Sequence, residues 1–386
     1  MKYDFDKISN RRNTYSYKWN VKDNELPMWV ADMDFICPPF ILEALRKRVD
    51  IGSLGYTFIP DEFFNAIIEW WKRRHNIEFQ KEWMIYSSGV VAAISSMVRS
   101  LTNIGDNVIV QSPVYNIFYN SIINNKRVVL SNDLIYENGA YHIDFVDLEE
   151  KMSLEKTTLM ILCNPHNPIG KLWNKEELEK IGKLAKKYGV FVISDEIHCD
   201  IVEPGFAYQP FAFNDINKEV SITCIAPSKV FNIAGLQSAC LVIPNEEIRK
   251  KVNRALNNDE VAEPNFFSMT ANIEAFSKGD EWVDELNQYI SNNKKYFYEF
   301  VRKEIPHLHV VEDKALYLVW VDISYYSNDS KALCLDLRDK TGLFVSEGEE
   351  YGKNGKSFFR INLATSLENV KDGCLRLKKY FGGLDR

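Results

Sequence analysis

The chain lacks most features that would place it in a special class. Its 386 residues carry 47 basic and 54 acidic side chains, a net charge of −7 with no long basic run, so no footprint for a nucleic-acid backbone is present. No uninterrupted apolar stretch is long enough to span a bilayer. The N-terminus, Met1-Lys2-Tyr3-Asp4-Phe5-Asp6, alternates charge with aromatics and has no apolar secretion core. A soluble cytoplasmic protein with no nucleic-acid and no membrane partner is expected. Cysteine is sparse: Cys37, Cys163, Cys199, Cys224, Cys240, Cys334 and Cys374 are odd in number, scattered, and form no Cys-x-x-Cys. Several lie in apolar runs, where a free thiol packs as a small hydrophobe. Reduced core thiols are therefore expected rather than disulfides. The six histidines show no paired ligand spacing, so no metal is expected. There is no internal repeat and no low-complexity linker.

What is present is ample core material, with 46% hydrophobic and 13% aromatic residues. The length exceeds one ordinary core, so two lobes are expected. Asp61–His75 reads as an amphipathic helix with Asp61 as its N-cap. From residue 83 onward, short apolar runs alternate with amphipathic helices. Strands are expected over 83–86, 107–111, 128–130, 159–163, 190–194, 220–226 and 239–243. Helices are expected over 88–101 and 175–188, the latter opened by Asn174 with Glu177 and stopped by Gly189. Such alternation predicts a mostly parallel sheet covered on both faces, an α/β architecture. After Pro244 the pattern changes to helices, including a long one over 280–305 ended by Pro306, and then to a mixed region.

The sequence is organised around Ile225–Leu236, IAPSKVFNIAGL. Two apolar runs bracket a polar loop that holds Lys229. A lone loop lysine would read as a solvated charge. This one keeps company. Asp195 ends an apolar strand, Asn167 lies in the double-proline turn Asn164-Pro165-His166-Asn167-Pro168, and Arg360 sits in the apolar run Phe358–Asn362. Pyridoxal phosphate chemistry needs such a set: a lysine for its aldehyde, an acid for its pyridine nitrogen and a planar clamp for a carboxylate.

At these residues the chain resembles fold-type I pyridoxal-phosphate enzymes of the class I/II aminotransferase superfamily. Within that superfamily it is similar to the MalY/PatB-type cystathionine β-lyases. Two stretches favour the subgroup, Pro27–Phe35 (PMWVADMDF) and Ser228–Leu236 (SKVFNIAGL). The resemblance covers essentially the whole chain. It implies a seven-stranded, mostly parallel sheet in a large cofactor-binding domain over residues 45–285. A smaller α+β domain would be built from 1–44 and 286–386.

The resemblance also implies roles. Lys229 would anchor pyridoxal 5′-phosphate and act as the base for the substrate Cα proton. Asp195 would hold the pyridine nitrogen protonated, with Glu196 as a neighbouring competitor. Asn167 would reach the phenolic oxygen. His198, where many aminotransferases carry a tyrosine, is either a second partner of that oxygen or a packed core histidine. Tyr115 would stack on the ring, or is a core tyrosine. The phosphate would sit at Gly89 and Val90, where a helix begins, with Ser228 adding a hydroxyl. Relatives often place an arginine eight residues after the lysine; here that position is Gln237. Arg360 would grip the substrate α-carboxylate. Tyr56 would reach the phosphate and substrate of a second chain, which implies a homodimer. The activity implied is β-elimination from L-cystathionine, L-cysteine or cysteine S-conjugates. Two alternatives remain: an aminotransferase using the same residues, and a MalY-like regulatory protein that binds a transcription factor.

Overall fold

In the computed structural model, residues 2–312 and 314–384 are described. Seven strands form the main sheet, in the order 84–87, 239–242, 221–225, 191–195, 157–163, 107–110 and 128–131. Ala239–Val242 runs antiparallel to both neighbours, and the other pairings are parallel. The strands Leu159–Cys163, Val192–Ile193 and Ile222–Cys224 are buried, as continuous apolar runs in a sheet covered on both faces must be.

Register decides where the chemistry collects. Cys163 pairs with Asp195, and Asp195 with Cys224, so the parallel strands end level with one another. The segments beginning at Ser88, Gln111, Asn164, Glu196 and Ala226 therefore leave from one edge. In open α/β sheets, ligands bind in the crevice beyond that carboxyl edge.

Local signals explain the helices that cover the sheet. Asn174 caps Lys175–Tyr188 through a reciprocal bond pair with Glu177, and Gly189 leaves the helix at φ +69°. Val90–Leu101 starts directly after Gly89 with no side-chain cap and no acid in its first turn. The helix Asp61–His75 forms over the expected span, but Pro60 occupies the N-cap position and Asp61 is the first helical residue. Val220 ends a short helix, Asp215–Val220, rather than opening a strand. The helices Ile117–Asn124 and Phe145–Met152 are shorter than the amphipathic windows that reveal a helix in sequence.

A second, antiparallel sheet joins His309–Val311, Leu318–Asp322, Phe358–Asn362 and Ser346–Glu347 in that order. Helices Ser330–Thr341 and Leu367–Phe381 pack against it through Leu337, Val370 and Leu377. The 25-residue helix Asp280–Glu304 links the two cores. Its Trp282 and Leu286 pack with Trp70 and Phe231; its Phe297 and Val301 pack with Phe359 and Ile361. The N-terminal segment straddles both cores. Leu26 and Met28 join the second, whereas Phe5, Met33 and Phe35 join the first. No helix among the described residues is long and apolar enough to cross a membrane.

Candidate active site

Beyond the carboxyl edge lies a cavity of about 490 Å³. Of the residues singled out in the sequence, Lys229, Asp195, Asn167, Tyr115, Gly89, Val90, Ser228, His198 and Gln237 all line it. Arg360 joins them from the second sheet. Its Nη1 donates to Asn167 Oδ1 at 3.0 Å and its Nη2 to the Trp29 carbonyl at 3.0 Å. Its guanidinium lies 4.8 Å from the Tyr351 ring centroid, and Nε is buried without a partner. A buried arginine so arranged keeps donor capacity for an incoming anion.

Tyr56 is not brought in. It lies fully exposed, away from the cavity of its own chain, beside exposed Leu54 and Phe58.

The two competing acids separate. Asp195 lines the cavity, and among the described residues its carboxylate accepts only the Ile197 N–H, at 3.2 Å. Burial pushes its carboxyl up to about 6, against the pull of that N–H and of Lys229. Glu196 points away and accepts from Ser194 Oγ at 2.7 Å, Phe211 N at 3.0 Å and the Tyr208 hydroxyl. Burial also lifts it, to about 7, but its lone pairs are already used.

Lys229 Nζ donates to the Ala31 carbonyl at 2.9 Å. Burial pushes its ammonium down; Asp32 opposes this, Arg360 reinforces it and Asp195 opposes it. His198 is 3% exposed, so burial, with Lys229 and Arg360 adding their charges, holds it well below the usual imidazole range and therefore neutral. Its ring meets Tyr317 edge-on at 6.1 Å, and its Nδ1 has no partner. The peptide bond between Asn167 and Pro168 is cis, as are Asn164–Pro165 and Ser112–Pro113.

The start of helix Val90–Leu101 also lines the cavity, through Gly89, Val90, Val91 and Ala92. Gly89 has φ +150°, where a side chain is disfavoured. Uncapped N–H groups at a helix start form an anion site. Gln237 adds no charge to the lining, and Ser88, Ser228 and Ser238 add neutral hydroxyls to it.

Sequence reading missed how the N-terminal strap is held. Asn362 Nδ2 donates to the Val30 and Asp32 carbonyls at 2.7 and 2.9 Å, and Asn232 Nδ2 to those of Met33 and Phe35 at 3.1 and 2.7 Å. With Lys229 on Ala31 and Arg360 on Trp29, residues 29–35 are bonded across the site. Two asparagines in apolar surroundings were the available signal.

These residues suit a flat, anionic cofactor. A buried aspartate with no ion pair among the described residues suits a cationic ring nitrogen, an uncapped helix start suits an anion, and a lysine of lowered basicity offers the amine.

The aminotransferase class I and II family model matches residues 28–377. The chain is 42% identical over 382 residues to cystathionine beta-lyase PatB of Bacillus subtilis (strain 168), covering 97% of this chain and 98% of that protein. Among solved structures, cystalysin from Treponema denticola, which contains pyridoxal 5′-phosphate, matches with a TM-score of 0.95 at 33% identity over 100% of both chains. The pyridoxal-phosphate-bound C–S lyase from Staphylococcus hominis matches with a TM-score of 0.92 at 34% identity, over 99% of this chain and 98% of that one.

Proposed function

From the premise that this chain belongs to the aminotransferase class I and II family, we propose that it is a pyridoxal-phosphate-dependent carbon–sulfur β-lyase. The substrate is a small amino acid with sulfur on Cβ: L-cystathionine, L-cysteine or a cysteine S-conjugate. With one water consumed, the products are a thiol (or sulfide), pyruvate and ammonia. The observation that carries this reading is one cavity lined by Lys229, Asp195 and Asn167, the last bonded to Arg360, in a chain 42% identical to a protein named cystathionine beta-lyase.

When bound, pyridoxal phosphate supplies a conjugated ring that takes up the electron pair left at Cα. The chain's own groups do the rest. The helix start at Gly89 and Val90, with Ser228, would hold the phosphate. Tyr115 would cover one ring face. Asp195 would keep the ring nitrogen protonated, and the site is suited to this because a cationic partner restores its ionised form. Asn167 and neutral His198 would offer hydrogen bonds to the phenolic oxygen. Arg360, already fixed by Asn167, Trp29 and Tyr351, would hold the substrate carboxylate. That grip would orient the Cα–H bond toward Lys229, the amine proposed to accept the proton, whose ammonium burial destabilises. Loss of the thiolate from Cβ follows.

A homodimer is part of the proposal. Tyr56 and its exposed neighbours Ile51, Leu54 and Phe58 form an apolar strip suited to a second copy, whose cavity Tyr56 would complete. Seven free cysteines support a reducing, cytoplasmic setting. The test is pyruvate release from L-cystathionine by the loaded protein without a keto-acid acceptor. Sustained release with equal thiol is expected. A single half-reaction without pyruvate would make it an aminotransferase instead.

A further inference from the structure

Outside this cavity, the end of one helix meets the segment that follows Asp195. His75 is the last residue of helix Asp61–His75; Cys199 and Asp200 lie directly after His198. Their ligating atoms, an imidazole nitrogen, a thiol sulfur and a carboxylate oxygen, all lie within 4.8 Å of one another. His75 Nε2 is 2.9 Å from Asp200 Oδ1, and Cys199 Sγ is 3.7 Å from Asp200 Oδ2. Trp70 Nε1 completes the surroundings at 3.2 and 3.1 Å from the two carboxylate oxygens.

Two observations set the cluster apart from an ordinary buried acid. Asp200 is 8% exposed, yet no lysine or arginine among the described residues pairs with it. The nearby arginines are engaged elsewhere, Arg73 with Asp280 and Arg74 with Asp284. Asn287 reaches in from the long helix, donating to the Asp200 main-chain carbonyl at 2.8 Å. Its side-chain oxygen, on a residue 9% exposed, has no donor. Together with the cluster, Asn287 lines a cavity of about 560 Å³. A buried oxygen without a donor lies beside a carboxylate that, among the described residues, meets no lysine or arginine and shares its oxygens with His75, Trp70 and Cys199, a donor set a metal ion can use.

We propose that His75, Cys199 and Asp200 bind a divalent ion of the zinc class, with Asn287 or a water from the cavity in the fourth position. Imidazole, thiolate and carboxylate together select a borderline-soft, tetrahedral ion over magnesium or calcium. On binding, the thiol proton leaves to solvent and the Cys199–Asp200 hydrogen bond is replaced by two metal bonds. His75 turns its Nε2 lone pair to the ion, its remaining proton moving to Nδ1. The ion ties the end of helix Asp61–His75 to the segment that carries His198 into the active cavity. This assignment is independent of the lyase reading.

The test titrates ZnCl2 into full-length protein loaded with pyridoxal phosphate and stripped of metals by a chelator that is then removed. One tightly bound equivalent per chain is expected, and Cys199→Ser and His75→Gln should each weaken it at least about tenfold. CoCl2 should give visible d–d bands and a thiolate charge-transfer band, the latter lost in Cys199→Ser. Should His75→Gln fail to fold, Cys199→Ser, which removes only a 3.7 Å contact, carries the test. No binding in the micromolar range, or stoichiometric binding untouched by Cys199→Ser, overturns the proposal.

Discussion

Lys229 Nζ and the Ala31 carbonyl meet at 2.9 Å although 198 residues separate them in the chain. The contact joins the loop after a central strand to the N-terminal strap. Both stretches that favoured the subgroup in the sequence, 27–35 and 228–236, thus touch at the atom expected to do chemistry. Lys229 and Arg360, to which the proposed reaction gives roles, each hold one strap carbonyl beside the four held by Asn362 and Asn232, so the strap's position and the lysine's are coupled.

Lys229→Ala should leave the fold intact and remove turnover. Loss of a positioned base costs about 10²–10⁴-fold, and loss of the anchoring amine adds to it. Pyruvate release and the visible absorbance retained after desalting are the two readouts. An unchanged spectrum would move the anchor to another lysine.

Arg360→Ala should raise KM for amino-acid substrates with little effect on retained cofactor. Removing a charged, bidentate donor costs about 2–4 kcal/mol, or roughly 30- to 1,000-fold. Arg360→Lys should recover only part of this, because an ammonium cannot serve Asn167, Trp29 and a carboxylate in one plane. A KM equal to that of the parent protein places the carboxylate elsewhere.

Asp195 makes the stability of the cofactor-free protein depend on pH. Its carboxyl is raised from 3.8 to about 6 by burial, so the folded state binds the proton more tightly than the unfolded chain. The protonated form's advantage is whole below pH 4 and is lost as pH rises through about 6, at a cost of ~3 kcal/mol. Cofactor-free Asp195→Asn should therefore melt higher than the parent at pH 8, and the gap should shrink toward pH 5. In the loaded protein the order should reverse, since the asparagine cannot neutralise a cationic ring. Equal melting temperatures at pH 8 would argue against a desolvated carboxylate.

Asn362→Ala removes one of two donors from each of two half-buried strap carbonyls, leaving Val30 with the Asp32 N–H and Asp32 with Lys18 Nζ. Two lost hydrogen bonds at about 0.5–1.5 kcal/mol each loosen the strap without unfolding it. Faster limited proteolysis within residues 10–35 and a raised substrate KM are expected together. Faster cleavage with KM unchanged would mean the strap does not shape the site.

Tyr56→Ala and Lys229→Ala, each deficient alone, should regain activity when unfolded and refolded as a mixture. A hybrid dimer would pair one chain's lysine with the other chain's tyrosine. A mixture no more active than its parts would confine Tyr56 to a local role.

Much of this was open to sequence reading because it is local. The period of apolar residues, the Asn174–Glu177 box and Gly189 fix a helix, since the bonds involved span a few residues. A charge at the end of one apolar run marks Asp195 and a charge inside another marks Arg360, because burying a charge without purpose is costly. Lys229, Asp195, Asn167 and Arg360 could therefore be singled out as candidates, with the family resemblance supplying the role proposed for each. What only the tertiary structure decided is orientation and distance between segments far apart in the chain. It turns Asp195 into the cavity and Glu196 away, lays the Trp29, Val30 and Ala31 carbonyls on Arg360, Asn362 and Lys229, and brings His75 beside Cys199 and Asp200, 125 residues from it to Asp200. No local pattern encodes these. They follow from the level ends of the parallel strands and from helix Asp280–Glu304 linking two cores, and such long-range pairings are set by the packing of the whole.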